Sequence, residues 1–150
     1  MRIRFVLVFT AVLAFAGPIW AADLVTKQSP HSVKITADRL AAAVEGAGAR
    51  VFARIDHAAG AAAVGMTLRP TRLLIFGNPK LGTPAMLAGQ TSGLDLPLRV
   101  VVYEDEGGKV FLAYHPPSRL AADHGIPADA KVIKMMTGAL DKLTNKAIAK

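Results

Sequence analysis

Between Leu96 and Tyr114 the chain carries two strand-forming runs joined by four turn residues, and this pair constrains the fold more than any other feature. Leu96–Glu104 centres on Val100-Val101-Val102, whose branched side chains favour extended backbone. Asp105-Glu106-Gly107-Gly108 is a tight connection, and Lys109–Tyr114 is the returning strand. Strands this close in sequence pair antiparallel, because a parallel partner needs a crossover of about a dozen residues or more. An all-helical fold is excluded, and an antiparallel sheet is seeded.

The flanking segments extend that sheet. Ala49–Ile55 alternates, with Val51, Ala53 and Ile55 expected on one face and Arg50, Phe52 and Arg54 on the other. Leu73-Leu74-Ile75-Phe76 is a continuous apolar run, as expected of a strand buried on both faces. Ala22–Ser32 reads as an extended lead-in broken by Pro30, with Val33–Ile35 expected to form or finish a first strand. Thr36 is the expected N-cap of a helix with an apolar stripe of Leu40, Val44 and Ala47, ended by Gly46 and Gly48. Ala58–Val64 is a short alanine-rich helix expected to pack closely on the sheet. Thr83-Pro84 is expected to start another short helix, and Arg119–His124 forms a helical turn. Pro127 begins a last helix, to about residue 148, with an apolar face of Val132, Met135, Met136, Leu140 and Leu143. Strands dominate the middle and never alternate with long crossover helices. The expected architecture is a single α+β domain: a curved antiparallel sheet of about five strands with helices packed against it, plus a C-terminal amphipathic helix.

The first residues carry an address. Met1-Arg2-Ile3-Arg4 is basic, Phe5–Ala16 is uncharged, and Gly17-Pro18 breaks the run before Ala21-Ala22. This is the layout of a signal peptide, residues 1–21, cut after Ala21, and it predicts a periplasmic or secreted protein of residues 22–150. The run is too short to span a bilayer, which takes about 20 apolar residues. The chain contains no cysteine, so it uses neither disulfides nor thiolate chemistry. The formal charge of +7 falls by two when Arg2 and Arg4 leave. Much of the remaining excess lies at Lys131, Lys134, Lys142, Lys146 and Lys150, beside Asp129 and Asp141. These lysines read as the solvated face of the last helix, or as an attractor of anionic lipid or an acidic partner. Export and the lack of a basic patch interleaved with aromatics argue against nucleic acid.

Several motifs occur in a familiar order. They are Phe52-Ala53-Arg54-Ile55-Asp56-His57, Leu68-Arg69-Pro70-Thr71, Leu74-Ile75-Phe76-Gly77-Asn78-Pro79 with Gly82-Thr83-Pro84, and Leu94-Asp95-Leu96-Pro97-Leu98 before the Tyr103-Glu104-Asp105 hairpin. The succession resembles the bacterial family called domain of unknown function 302 over a core of about residues 29–125. The resemblance implies a compact α+β domain and makes a homodimer plausible; it supplies no activity. Tyr103 and His115 depart from the tryptophan and asparagine expected at those places.

Candidate chemistry centres on Asp56-His57. His57 is a possible base or ligand-binding group, whereas Asp56 suits an N-cap of the alanine-rich helix. Gly77-Asn78-Pro79-Lys80-Leu81-Gly82-Thr83 lacks the lysine that a nucleotide-binding loop places before its hydroxyl residue, which argues against nucleotide hydrolysis. Unpaired N–H groups at a helix start on Thr83 would instead suit a small anion, helped by Arg54, Arg69 or Lys80. His31, His57, His115 and His124 form no close metal-binding pair, so neither metal nor cofactor is predicted, although Asp95 or Glu104 offers oxygen to an assembled site. The leading expectation is a periplasmic binding or accessory protein for a small molecule or anion, with a pocket formed by Asp56, His57, Arg69, Asn78 and Thr83. The alternatives are an enzyme using His57 in proton transfer, and a structural or protein-interaction module.

Overall fold

The computed structural model describes residues 24–150; the leader expected over residues 1–21 lies outside them. Five strands form one sheet: β1 (Val25–Ser29), β2 (Arg50–Asp56), β3 (Thr71–Gly77), β4 (Leu98–Glu104) and β5 (Val110–Tyr114). Their spatial order is β1-β5-β4-β3-β2, and every neighbouring pair is antiparallel. The expected hairpin is present: Val101 faces Ala113 and Glu104 faces Val110. Asp105 shapes its turn by accepting from the N–H groups of Gly107 and Lys109 at 2.9 and 2.8 Å.

Helices α1 (Val33–Gly46), α2 (His57–Ala63), α3 (Pro79–Ala88), α4 (Pro117–Asp123) and α5 (Lys131–Ile148) complete the fold, with a short 3-10 helix at Gln90–Leu94. α1 and α5 close the main core against one sheet face. Leu40 and Val44 meet Leu74, Phe76, Val100, Val102 and Leu112 there. Burial of this apolar surface is the principal force holding the layers together. Polar ties fix α5 at both sides. Lys27 of β1 reaches Asp141, Thr144 and Asn145 at 2.6, 2.9 and 2.7 Å. Arg39 of α1 donates to the carbonyls of Ala147 and Ala149, which the end of α5 leaves unpaired.

The structure corrects several local expectations. The first strand lies before Pro30, and Val33–Ile35 begins α1 instead of forming a strand. Ser32, not Thr36, is the N-cap, accepting from the Ile35 N–H at 3.3 Å. Thr36 is fully buried, with its hydroxyl 2.6 Å from that of Ser29. Packing of Val33 against the sheet outweighs its modest strand preference.

In β2 a bulge intervenes: Val51 faces Phe76 but Ala53 faces Ile75, leaving Phe52 as the extra residue. The alternation therefore inverts. Val51 and Arg54 share the helix-covered face, and Arg54 reaches Asp38 of α1 at 3.2 Å. β3 is buried on one face only: Leu74 and Phe76 are enclosed, while Leu73 and Ile75 stay half-buried. α2 buries none of its residues. On α5, Met135 is exposed, and Ile133 and Ala147 join the buried face.

Candidate functional site

α5 spans two apolar clusters. Leu140, Leu143 and Ala147 belong to the main core, whereas Val132, Ile133 and Met136 pack with Ala85 of α3, Leu120 and Ala121 of α4, and Ile126. Small residues face the junction: Ala43 and Gly46 from α1, Ala47 just after it, Gly82 from α3 and Ala139 from α5. Side chains this short do not close the gap, and a cavity of about 580 Å³ opens there. That size falls within the range of roughly 300–1,000 Å³ usual for small-molecule sites.

Phe52, Phe76, Met86, Met136 and Leu143 supply the apolar wall. The bulge in β2 brings Phe52 to it. Gly77 lets Pro97 and Phe52 approach closely at the cavity floor, since a Cβ there would stand 3.3 Å from Pro97 Cβ and 3.7 Å from the Phe52 ring. Asn78 and Thr83 add polar groups, and the exposed Lys142 and Lys146 stand at the rim. Among the described residues no acidic side chain lines it.

Of the five residues expected to form one pocket, only Asn78 and Thr83 line this cavity. Gly77 pairs with Arg50 at one end of β2, and Arg72 pairs with Asp56 at the other. Six strand positions separate those ends by roughly 20 Å. Asp56 caps α2, as its position suggested, accepting from the Ala59 N–H at 3.0 Å. It also pairs with Arg72 at 3.0 Å. The Ala59 hydrogen bond, then the Arg72 charge, hold its carboxyl below the ordinary aspartate value. His57 is exposed in the first turn of α2, outside the cavity. Arg69 donates to the Glu104 carbonyl at 3.2 Å and so ties its loop to the hairpin.

The helix expected to start at Thr83 starts at Pro79. Asn78 is the N-cap, accepting from the Lys80 N–H at 2.9 Å, and Pro79 takes the first turn. The Leu81 and Gly82 N–H groups bond the Asn78 carbonyl, each at 2.9 Å. Those donors are occupied, so an anion at this helix start would have to displace them, and Thr83-Pro84 lies inside the helix.

A second polar arrangement escapes sequence reasoning because its members are far apart in the chain. His124, at the end of α4, places Nε2 2.8 Å from Asp95 Oδ2 and Nδ1 2.9 Å from Thr91 Oγ1. Arg99 binds the other Asp95 oxygen at 2.6 Å. With Asp95 ionised, Nε2–H of His124 donates to its carboxylate. Asp95 and Arg99 border a groove of about 670 Å³, where Arg119 also pairs with its own carboxylate, Asp123. The arginines of this groove are thus engaged within the chain, unlike the rim lysines of the apolar cavity.

The His124 hydrogen bond, followed by the hydrogen bond and charge of Arg99, lowers the Asp95 pKa. A carboxyl depressed in the folded state stabilises the fold above its unfolded value, about 3.9. That contribution is lost as pH falls through the folded value. Asp95→Asn is therefore expected to lower stability at neutral pH and to flatten the loss of stability below about pH 4. Urea unfolding of both proteins across pH 2–7 reads the difference.

Comparison with known proteins accords with this fold. The profile described as "Domain of unknown function DUF302" matches residues 25–143. A crystal structure of an uncharacterized conserved DUF302 protein from Bacillus stearothermophilus superposes with a TM-score of 0.76 at 19% identity, covering 85% of this chain and 99% of that one. Over 117 residues the chain is 47% identical to "Fluoride-specific ion channel FluC 1" of Brucella suis biovar 1 and to its namesake in Brucella abortus biovar 1. These matches cover 77% of this chain but 46% and 43% of the two relatives, so it spans less than half their length. Among the described residues no helix is long and apolar enough to cross a membrane. The family match runs from the first residue of β1 into the last turns of α5, taking in the whole sheet and every wall of the cavity except Lys146, and on that ground the chain belongs to the family of domain of unknown function DUF302.

Proposed function

We propose that this chain is an exported small-ligand-binding protein, acting in the periplasm or outside the cell, and that its ligand occupies the apolar cavity under α5. The cavity itself is the supporting observation: about 580 Å³ of space walled by Phe52, Met86, Met136 and Leu143. Wall residues come from α1, β2, β3, α3 and α5, so the framework that closes the core also shapes the site. The Asn78 side chain is engaged, accepting from the Lys80 N–H at 2.9 Å and donating to the Gly48 carbonyl at 3.1 Å, so the Thr83 hydroxyl and the rim lysines are the polar groups that meet the ligand. The leader of residues 1–21 supports export.

The test uses the neutral fluorophore N-phenyl-1-naphthylamine, which brightens on entering an apolar site. Wild-type protein is expected to bind it saturably at one molecule per chain. Ala139→Phe fills the junction and is expected to weaken binding by about tenfold or more, equivalent to ~1.4 kcal/mol. Equal binding by a folded Ala139→Phe protein would place the probe elsewhere.

A second reading is favoured by the identity shared with part of the Brucella channels. In it, the domain serves as an accessory to a fluoride channel. Deleting the gene and measuring growth in graded fluoride tests this; unchanged tolerance counts against it.

A further inference from the structure

We propose that the cavity's ligand is a single-chain amphipathic carboxylate, with its apolar tail inside and its head between Lys142 and Lys146. This rests on the cavity being the binding site. The wall accepts a tail: Phe52, Phe76, Met86, Met136 and Leu143 present carbon and sulfur, and methionine adapts to flexible chains. The mouth accepts a negative head. Lys142 and Lys146 are four residues apart on α5, so they share one face across one turn.

Among the described residues neither ammonium forms an ion pair. α5 contains one acidic residue, Asp141, and its carboxylate is held by Lys27 at 2.6 Å and by Asn145 at 3.2 Å. Among the described residues no carboxylate lines the cavity. Two like charges one turn apart repel, and an anion between them converts that repulsion into charge-assisted hydrogen bonds. A neutral apolar ligand would gain nothing from this mouth, and a small inorganic anion would leave the apolar wall unfilled.

Displacement of N-phenyl-1-naphthylamine tests the assignment, using dodecanoate and dodecan-1-ol at neutral pH below their aggregation limits. The two ligands share a chain length and differ in the charged head. Wild-type protein is expected to release the probe at about tenfold lower dodecanoate than dodecanol. Lys142→Gln/Lys146→Gln is expected to abolish that preference by weakening dodecanoate while dodecanol displaces as before. Added salt should shrink the wild-type preference, because both ammonium groups are exposed.

Equal displacement by acid and alcohol in the wild type overturns the assignment of the head and leaves the cavity as an apolar site. A full acid preference in the folded double variant overturns the role of these lysines. If the wild type binds neither the probe nor either ligand, the cavity reading falls, and this inference with it.

Discussion

Leu40→Ala is expected to lower the unfolding free energy by ~2–5 kcal/mol, the range for truncating a large side chain in a packed core. Leu40 is completely buried in α1 and belongs to the cluster that joins that helix to the sheet and to α5. Its removal loses the transfer free energy of the side chain and leaves a void that the rigid sheet cannot fill. The same substitution at Leu87 provides the contrast. Leu87 is 84% exposed on α3, and its truncation should change stability by no more than about 0.5 kcal/mol. Denaturant midpoints for both variants measure the difference. A small effect at Leu40 would mean that α1 does not close the core as described.

Gly89→Ala is expected to destabilise by ~1–3 kcal/mol, the usual range for overpacking. Gly89 has extended backbone, so backbone preference is not the cause. The cause is contact: a Cβ there would stand 2.6 Å from the His124 carbonyl oxygen and 3.0 Å from Ile126 Cγ1. The oxygen belongs to the backbone, so relief requires the segment after α4 to move away from the 3-10 helix. That movement would also strain the Asp95–His124–Thr91 hydrogen bonds. Thermal unfolding reads the loss, and the His124 ring signals in an NMR spectrum should shift with it.

The sheet and helices were largely legible because they rest on local patterns. The valine-rich hairpin, the apolar run of β3 and the lysine-bearing face of α5 announce themselves over a few residues. Errors arose where contacts from elsewhere decided the outcome. A bulge adds one residue without altering the apolar character of β2, so the displacement of Phe52 was invisible. Asn78-Pro79 and Thr83-Pro84 are competing start signals, and the one immediately after β3 prevails. Val33 enters a helix because the core covers it.

Less of the cavity was legible. Of the residues expected to form one pocket, Asn78 and Thr83 line it, whereas Asp56, His57 and Arg69 stand at the opposite end of β2 and β3. A space has no motif: this one arises where small residues from α1, α3 and α5 converge, and none of them is unusual alone. The position of Lys142 and Lys146 at its mouth likewise depends on how α5 crosses the sheet. The bond between Asp95 and His124 required the path of α4 to be known.

Methionine methyl NMR tests the cavity most directly. Met86 and Met136 line it, whereas Met66 and Met135 are exposed elsewhere. Titration with dodecan-1-ol is predicted to shift the Met86 and Met136 methyl signals saturably, and to leave those of Met66 and Met135 in place. Static Met86 and Met136 signals, or equal drift of all four methyls, would contradict a ligand site beneath α5.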